Sequence, residues 1–374
     1  MMRSHSYLDW NATAPLRPEA RAAMLAALDL PGNPSSVHGP GRQARGLMDQ
    51  ARAAVAALIG VKPAQLVFTS GGTEADVLAL TGTGRKAVFV SGIEHDAVRR
   101  AAPPDAVTLP VGPDGVLDLA ALQAALAKVA APALVSVMAA NNETGVIQPI
   151  AEIARIAHAH GALFHCDAVQ LAGRAALDMT GLGIDLLTLS AHKIGGPKGV
   201  GALALREGLG LAPLIPGGGQ ESRRRGGTEN LPGIAGFGAA ALAARANMAD
   251  EGARIAALRD GMEAALKAAL PDLVIFGETA PRIPNTSLIG HPGLKAETVV
   301  MAMDLAGVAV SAGAACSSGK VERSAVLDAM GVDPALAASA IRISLGWTTT
   351  PEEVERCIAA YCTIVKRQAK GQAA

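Results

Sequence analysis

Short apolar blocks alternate with longer stretches of helical period through the middle of the chain. Residues 66–70 (LVFTS), 87–91 (AVFVS), 134–140 (LVSVMAA), 162–167 (ALFHCD) and 184–190 (IDLLTLS) are nearly continuous runs of apolar side chains. Runs of that length without a polar alternate face predict strands buried on both sides. Between them, residues 117–130 and 150–160 repeat their apolar positions at helical spacing, and Gly161 supplies a stop signal for the second. Strand and helix in alternation predict βαβ units, hence an α/β fold with a parallel or mixed sheet covered by helices. In such sheets ligands gather beyond the carboxyl ends of the strands. Residues 69–72, 141–143, 190–193 and Asp167 all fall at those ends. They therefore converge on one site.

From about Asn247 the pattern changes. A long charged helix is expected over residues 251–270, followed by short strands, further helices and a polar tail from about Lys366. This predicts two domains: a large one over residues 16–248, and a smaller α+β one built from residues 1–15 and 249–374. The second carries the stretch around Cys316.

Composition narrows the function classes. The chain has 374 residues, with 33 Lys and Arg against 33 Asp and Glu, so no bulk field favours nucleic acid or an anionic membrane. Its mean hydropathy is +0.30. Yet alanine carries much of the apolar content, and no uncharged apolar run reaches the ~18 residues that would span a bilayer. The leading residues MMRSHSYLDWN contain no apolar signal core, which predicts a cytoplasmic protein. Aromatic residues make up only 2%, too few for base-stacking platforms. The four cysteines have no paired CxxC spacing, so reduced thiols are expected. Cys166, Cys357 and Cys362 sit in apolar patterns, whereas Cys316 lies among small residues (SAGAACSSGK), where a thiol would be mobile and accessible. No set of His, Cys and carboxylates has zinc spacing, so no metal is expected.

Lys193 lies at the mouth of a strand among glycines, placed to form an imine, and Asp167 closes a neighbouring strand. Together they are the minimum needed to hold pyridoxal phosphate (PLP) and keep its ring nitrogen protonated. An ordinary loop lysine and strand-end aspartate is the alternative. Gly72 and Thr73 open a helix after a strand, which suits a phosphate as well as a simple cap. His95 follows another strand end, either as a cofactor-stacking acid–base group or as a helix-start residue. The amides of Asn142 and Gln170 either contact a cofactor or build turns. Arg342, in an otherwise apolar strand pattern, suits a substrate carboxylate or an internal salt bridge. The arginines of RRRGGTEN precede Thr228, and a solvated face is the plain reading of that run.

These motifs occur in the order found in one family. Through YLDWNATAP (7–15), NPSSVHGPGRQAR (33–45), FTSGGTEAD, EHDAV, NNETGVIQPI, HCDAVQ, SAHKIGGPKG, RRGGTEN, SAGAACSSG and IRISLGWTTT, nearly the whole chain resembles the cysteine desulfurases, PLP enzymes of the class V aminotransferase group. The resemblance implies PLP-dependent transferase fold type I, with a mostly parallel seven-stranded sheet in the large domain. It implies conversion of L-cysteine to L-alanine, with the sulfur left as a persulfide on Cys316 for a protein acceptor such as an iron–sulfur scaffold. It assigns imine formation to Lys193, the ring nitrogen to Asp167, and ring stacking with acid–base work to His95. Gly72, Thr73, Ser190 and His192 would hold the phosphate, with Thr228 given by the partner of a homodimer. Asn142 and Gln170 would contact the phenolic oxygen and ring, Arg342 with Asn142 the substrate, and Cys316 would be the nucleophile. A selenocysteine lyase or another class V aminotransferase is the nearest alternative, and a non-catalytic partner of the same fold a more distant one. With the sequence ending soon after its last expected helix, a longer C-terminal extension of the kind by which some members engage a scaffold is not expected, which leaves scaffold docking open. Trp10 stands where many relatives have tyrosine.

Overall fold

The computed structural model describes residues 5–313 and 323–372. Cys316 lies outside the described residues. The first strand, Ser6–Tyr7 (β1), is short and pairs with a segment three hundred residues later, described below. The central sheet then takes in Leu66–Thr69 (β2), Ala87–Ser91 (β3), Val107–Leu109 (β4), Ala133–Ser136 (β5), Leu163–Asp167 (β6), Leu186–Ser190 (β7) and Gly201–Leu205 (β8). Their spatial order is β2–β8–β7–β6–β5–β3–β4. Neighbours from β7 through β4 are parallel, and β8 runs antiparallel to both β7 and β2. Every residue of β5, β6, β7 and β8 is buried, as continuous apolar runs require when helices cover both faces. The fold is α/β with a mixed, mostly parallel seven-stranded sheet.

Two strands carried no clear sequence signal. Val107–Leu109 is too short and lies at the sheet edge. Gly201–Leu205 (GALAL) reads as weakly apolar and glycine-led. The helix expected over residues 117–130 is shorter, Leu119–Leu126, and begins where the Asp118 carboxylate accepts the Ala121 N–H at 2.9 Å.

The largest departure is the long helix. It runs Leu231–Ala269, starting twenty residues before the expected position. Asn230 caps its first turn and Pro232 fits the first turn without needing a donor. The glycines of the run GIAGFGAAALAA weaken its local helix propensity. Those glycines serve packing: a Cβ at Gly238 would lie 2.6 Å from Ala51 Cα, in the helix Gly39–Leu58. The first half of the long helix packs into the core around the central sheet. Ile255, Met262 and Leu266 in its second half belong to a separate apolar core. Residue 248, where the chain was divided above, lies inside this helix.

The second core is built on a four-stranded antiparallel sheet of Val274–Ile275 (β9), Thr286–Gly290 (β10), Ser311–Ala312 (β12) and Ile341–Ser344 (β13), in the order β12–β13–β10–β9. Val308–Ala309 (β11) lies beside it and pairs in parallel with β1. Leu8 is buried in this core and an isolated bridge joins Asp9 to Ser344, so the N-terminal segment is strapped across β13. From there residues 11–17 pass to the carboxyl end of the central sheet. Among the described residues no helix is long and apolar enough to cross a membrane.

Candidate active site

A cavity of about 310 Å³ opens at the carboxyl ends of β2, β6 and β7. That volume suits a small organic ligand rather than a few waters. Gly72, Thr73, His95, Asn142, Asp167, Gln170, Ser190, His192, Lys193 and Arg342 all line it. Residues expected from separate strand ends thus meet around one space. Thr228 is exposed and is not among the lining residues. Cys316 is not placed, since it lies outside the described residues.

Lys193 ends a single 3-10 turn, Ala191–Lys193, that follows β7. Its Nζ donates to the carbonyls of Asn11 at 2.5 Å and Ala12 at 2.9 Å. Burial, reinforced by Arg342 and Arg174, lowers its pKa to about 8. The turn is held from outside by the N-terminal segment. The Ala14 N–H bonds to His192 O (2.9 Å) and the Arg17 N–H to Gly195 O (2.8 Å). Arg17 also donates from Nε to Ile194 O, pairs in bidentate fashion with Glu251, and stacks 3.8 Å over Trp347. Gly195 has φ +84°, and a Cβ there would meet Arg17 Cγ and Trp347 at 2.5 Å. Only glycine lets the clamp close on the turn.

Asp167 ends β6 and is buried, and its Oδ1 accepts the Val169 N–H at 2.9 Å. Burial raises its pKa, while that bond and the nearby His95 and Lys193 pull it back. Two further buried carboxyls lie near it, and one of them, Asp76, lines the same cavity. Asp76, inside the helix Gly72–Gly82, is raised well above the usual range by burial and by Asp167, and its Oδ1 has no hydrogen-bond partner. Glu94 is raised to about 8 by burial, though Ser91 Oγ (2.5 Å) and the Met138 N–H (2.8 Å) donate to its Oε1. His165 brings no positive charge, because burial lowers its pKa to about 3. Burial thus favours the neutral form of Asp76 and Glu94, whereas His95 and Lys193 favour the charged form of Asp167.

His95 is the helix-start residue of one sequence reading, and its ring also lines the cavity. Its Nδ1 accepts the Ala97 N–H at 3.1 Å as the cap of the helix Asp96–Arg99. An accepting Nδ1 puts the ring hydrogen on Nε2. His192 Nδ1 bonds Thr13 Oγ1 at 3.1 Å, and burial together with Lys193, Lys198 and Arg174 lowers its pKa to about 4. It is a neutral donor or acceptor near pH 7. At the far end, the helix Gly72–Gly82 points its first N–H groups at the cavity, a natural anion seat. Arg225 of the triple-arginine run pairs with Glu74 on this helix at 3.0 Å.

The two asparagines of NNETG divide their work. Asn141 builds the turn, its Oδ1 accepting the N–H groups of Glu143 and Thr144. Asn142 lines the cavity, and its carbonyl accepts from Arg342 Nη1 (2.9 Å) and Asn11 Nδ2 (3.2 Å). Gln170 donates from Nε2 to Asn11 O at 3.1 Å, while its Oε1 accepts from Arg174. Arg342 reaches in from β13 and pairs with Asp9 at 2.8 Å.

Sequence reasoning missed Asn11 and Asp76. Asn11 bonds Thr286, Asn285, Asn142, Gln170, Ser344 and Lys193, yet most of these bonds use its backbone or reach residues far along the chain. Asp76 did carry a signal: one carboxylate within the otherwise apolar helix run ADVLAL.

The family description Aminotransferase class-V matches residues 6–357. A cysteine desulfurase of Cereibacter sphaeroides is 46% identical over 374 residues, covering 96% of this chain and 95% of its own. A protein named cysteine desulfurase IscS, from Dictyoglomus turgidum, is 41% identical over 366 residues, covering 94% of this chain and 92% of its own. Among solved structures, a NifS-like protein from Rickettsia africae superposes with a TM-score of 0.90 at 36% identity, covering 97% of this chain and 99% of that one.

Proposed function

The chain belongs to the aminotransferase class-V family, and from that premise we propose that it is a PLP-dependent cysteine desulfurase acting on L-cysteine. One observation carries the reading. A single cavity brings together an amine of lowered pKa (Lys193), a buried carboxyl (Asp167), an imidazole with fixed tautomer (His95) and a guanidinium (Arg342).

The residues fit PLP. Lys193 would carry it, Asp167 would pair with its ring nitrogen, and His95 would lie against the ring. The N–H groups at Gly72 and Thr73, with Ser190 and His192, would take the phosphate, and Asn142 and Gln170 would face the ring substituents. When bound, PLP supplies an electron sink that makes the substrate's α-hydrogen acidic and weakens its carbon–sulfur bond.

The chain's own groups do the rest. Arg342 would anchor the substrate carboxylate. Lys193 Nζ, which is neutral above about pH 8, would take the α-proton. His95 Nε2 would exchange protons on the thiol side. Cys316 would attack the substrate sulfur as thiolate. A sulfur–sulfur bond forms, the carbon–sulfur bond breaks with its electron pair left on carbon, and protonation yields L-alanine. The persulfide on Cys316 would then pass its outer sulfur to a protein acceptor such as an iron–sulfur scaffold. The protein would act as a homodimer, with Thr228, exposed in one protomer, contributed to the neighbouring phosphate site.

The test is Cys316→Ala in the cofactor-loaded protein. Cofactor absorbance and the spectral response to L-cysteine should persist, with alanine formation lost. Alanine and sulfide released at the wild-type rate would refute the assignment.

A further inference from the structure

Arg342 holds a charge that is already answered. Its side chain is only 7% exposed, and its Nη2 donates to Asp9 Oδ1 at 2.8 Å. Nη1 donates to Asn142 O at 2.9 Å, and Nε is buried without a partner. A buried guanidinium needs a counter-charge, since removing one member of such a pair is costly. The fold supplies it by placement. Asp9 is bridged to Ser344, two residues beyond Arg342 on β13, and the Trp10 N–H bonds Ser344 O at 3.3 Å. The Asp9 carbonyl is also engaged, by the Ala12 N–H and the Tyr7 hydroxyl, both at 3.1 Å. Its backbone is therefore fixed, while its carboxylate, 20% exposed, lies on the more open side of the pair.

A carboxylate ligand at Arg342 meets a cation that is already neutralised. It either displaces Asp9 from Nη2 or shares the fork with it, and in both cases the Asp9 charge opposes its binding. We propose that Asp9 is the resident counter-ion of Arg342, keeping the resting guanidinium satisfied and limiting the site's affinity for carboxylates. This rests on Arg342 being the carboxylate anchor in the reading above. The cost falls on every carboxylate alike, so occupancy depends on further contacts, through the ligand's amine and sulfur. Simple carboxylates of similar size stay weak.

The probe is 3-mercaptopropionate, which has the thiol and carboxylate of cysteine but no amine, titrated calorimetrically into the holoenzyme. Its uncharged amide, 3-mercaptopropionamide, is the control. Asp9→Asn preserves shape and an acceptor oxygen for Nη2 while removing the charge. It should tighten the anionic probe about three- to tenfold, by removing a like charge at close range. The amide should bind as in wild type, and KM for L-cysteine should fall more than kcat changes. Asp9→Ala, which also removes the acceptor, should tighten the probe in the same direction. If either variant retains its bound cofactor yet binds the probe no better than wild type, or worse, Asp9 merely orients Arg342 and the proposal is overturned. The anchor reading fails separately: Arg342→Gln with undiminished probe affinity would show that the carboxylate binds elsewhere.

Discussion

Gly195→Ala tests whether the N-terminal clamp sets the position of Lys193. At φ +84° an alanine pays roughly 1–2 kcal/mol for the left-handed conformation. Its Cβ would also sit 2.5 Å from Arg17 Cγ and from the Trp347 ring, which are stacked on each other and held by Glu251. Neither can retreat freely, so overpacking adds about 1–3 kcal/mol. Reduced freedom of the unfolded chain returns about 0.4–1 kcal/mol. The net loss should be about 1–5 kcal/mol. Gly199→Ala separates the two contributions: Gly199 has φ +79° in the same loop, yet nothing lies within 4 Å of its Cβ position. That control should lose only the backbone part. Denaturant unfolding of both variants without cofactor, at unchanged m-value, measures the difference, and cofactor titration measures the consequence at Lys193. The clamp reasoning predicts that Gly195→Ala alone weakens cofactor retention. Equal stability and equal retention in the two variants would refute it.

Two further outcomes follow from the site. Cofactor attachment to the apoprotein should accelerate about tenfold per pH unit up to about pH 8 and then level off, because only neutral Lys193 Nζ is nucleophilic and its pKa is lowered to about 8. The same shift has a definite sign in stability. Between 8 and the ordinary 10.5 the unfolded chain holds a proton that the folded one has released, so the apoprotein gains stability with rising pH in that window. Lys193→Gln should remove this gain, and an attachment profile still climbing at pH 10 would contradict the lowered pKa. His95 separates its two roles by substitution. His95→Asn keeps a cap for the Ala97 N–H, whereas His95→Ala loses it at about 1 kcal/mol. Both should lose alanine formation by about 10²–10⁴-fold, and activity that tracked stability would reduce His95 to a cap.

The central strands were legible because burial on both faces leaves them as continuous apolar runs, and four of the five expected blocks match to within two residues at each end. The fifth, residues 134–140, leaves the regular ladder after Ser136, although Val137 and Ala139 still donate to His165 and Asp167 of the neighbouring strand. The edge strand Val107–Leu109 and the glycine-led Gly201–Leu205 were illegible for the opposite reason, being too short or too weakly apolar. The early start of the long helix was hidden by glycines that local propensity counts against a helix. Their value lies in the close approach of Ala51 and Met24, which only tertiary packing reveals.

The site divides along the same line. Lys193, Asp167, His95 and Asn142 were legible because chemically capable side chains at strand ends of a parallel sheet must converge. What holds them was not, because it is largely backbone and drawn from far along the chain. Asn11 offers its carbonyl to Lys193 and Gln170, and its amide to Asn142, Asn285 and Thr286. Asp9 reaches Arg342 across 333 positions of sequence. Both lie in one short segment strapped to β13 on one side and to the Lys193 turn on the other. Arg342 lies on β13 of the second sheet and Lys193 in the turn after β7 of the central one, so this strap is a physical link between the proposed carboxylate anchor and the amine. A change that loosens it, at Asp9 or at Gly195, should therefore be felt at both ends of the substrate rather than at one. Competitive binding of 3-mercaptopropionate to Gly195→Ala holoenzyme reads that link directly: affinity for a ligand with no amine should change although the substitution lies at the amine end.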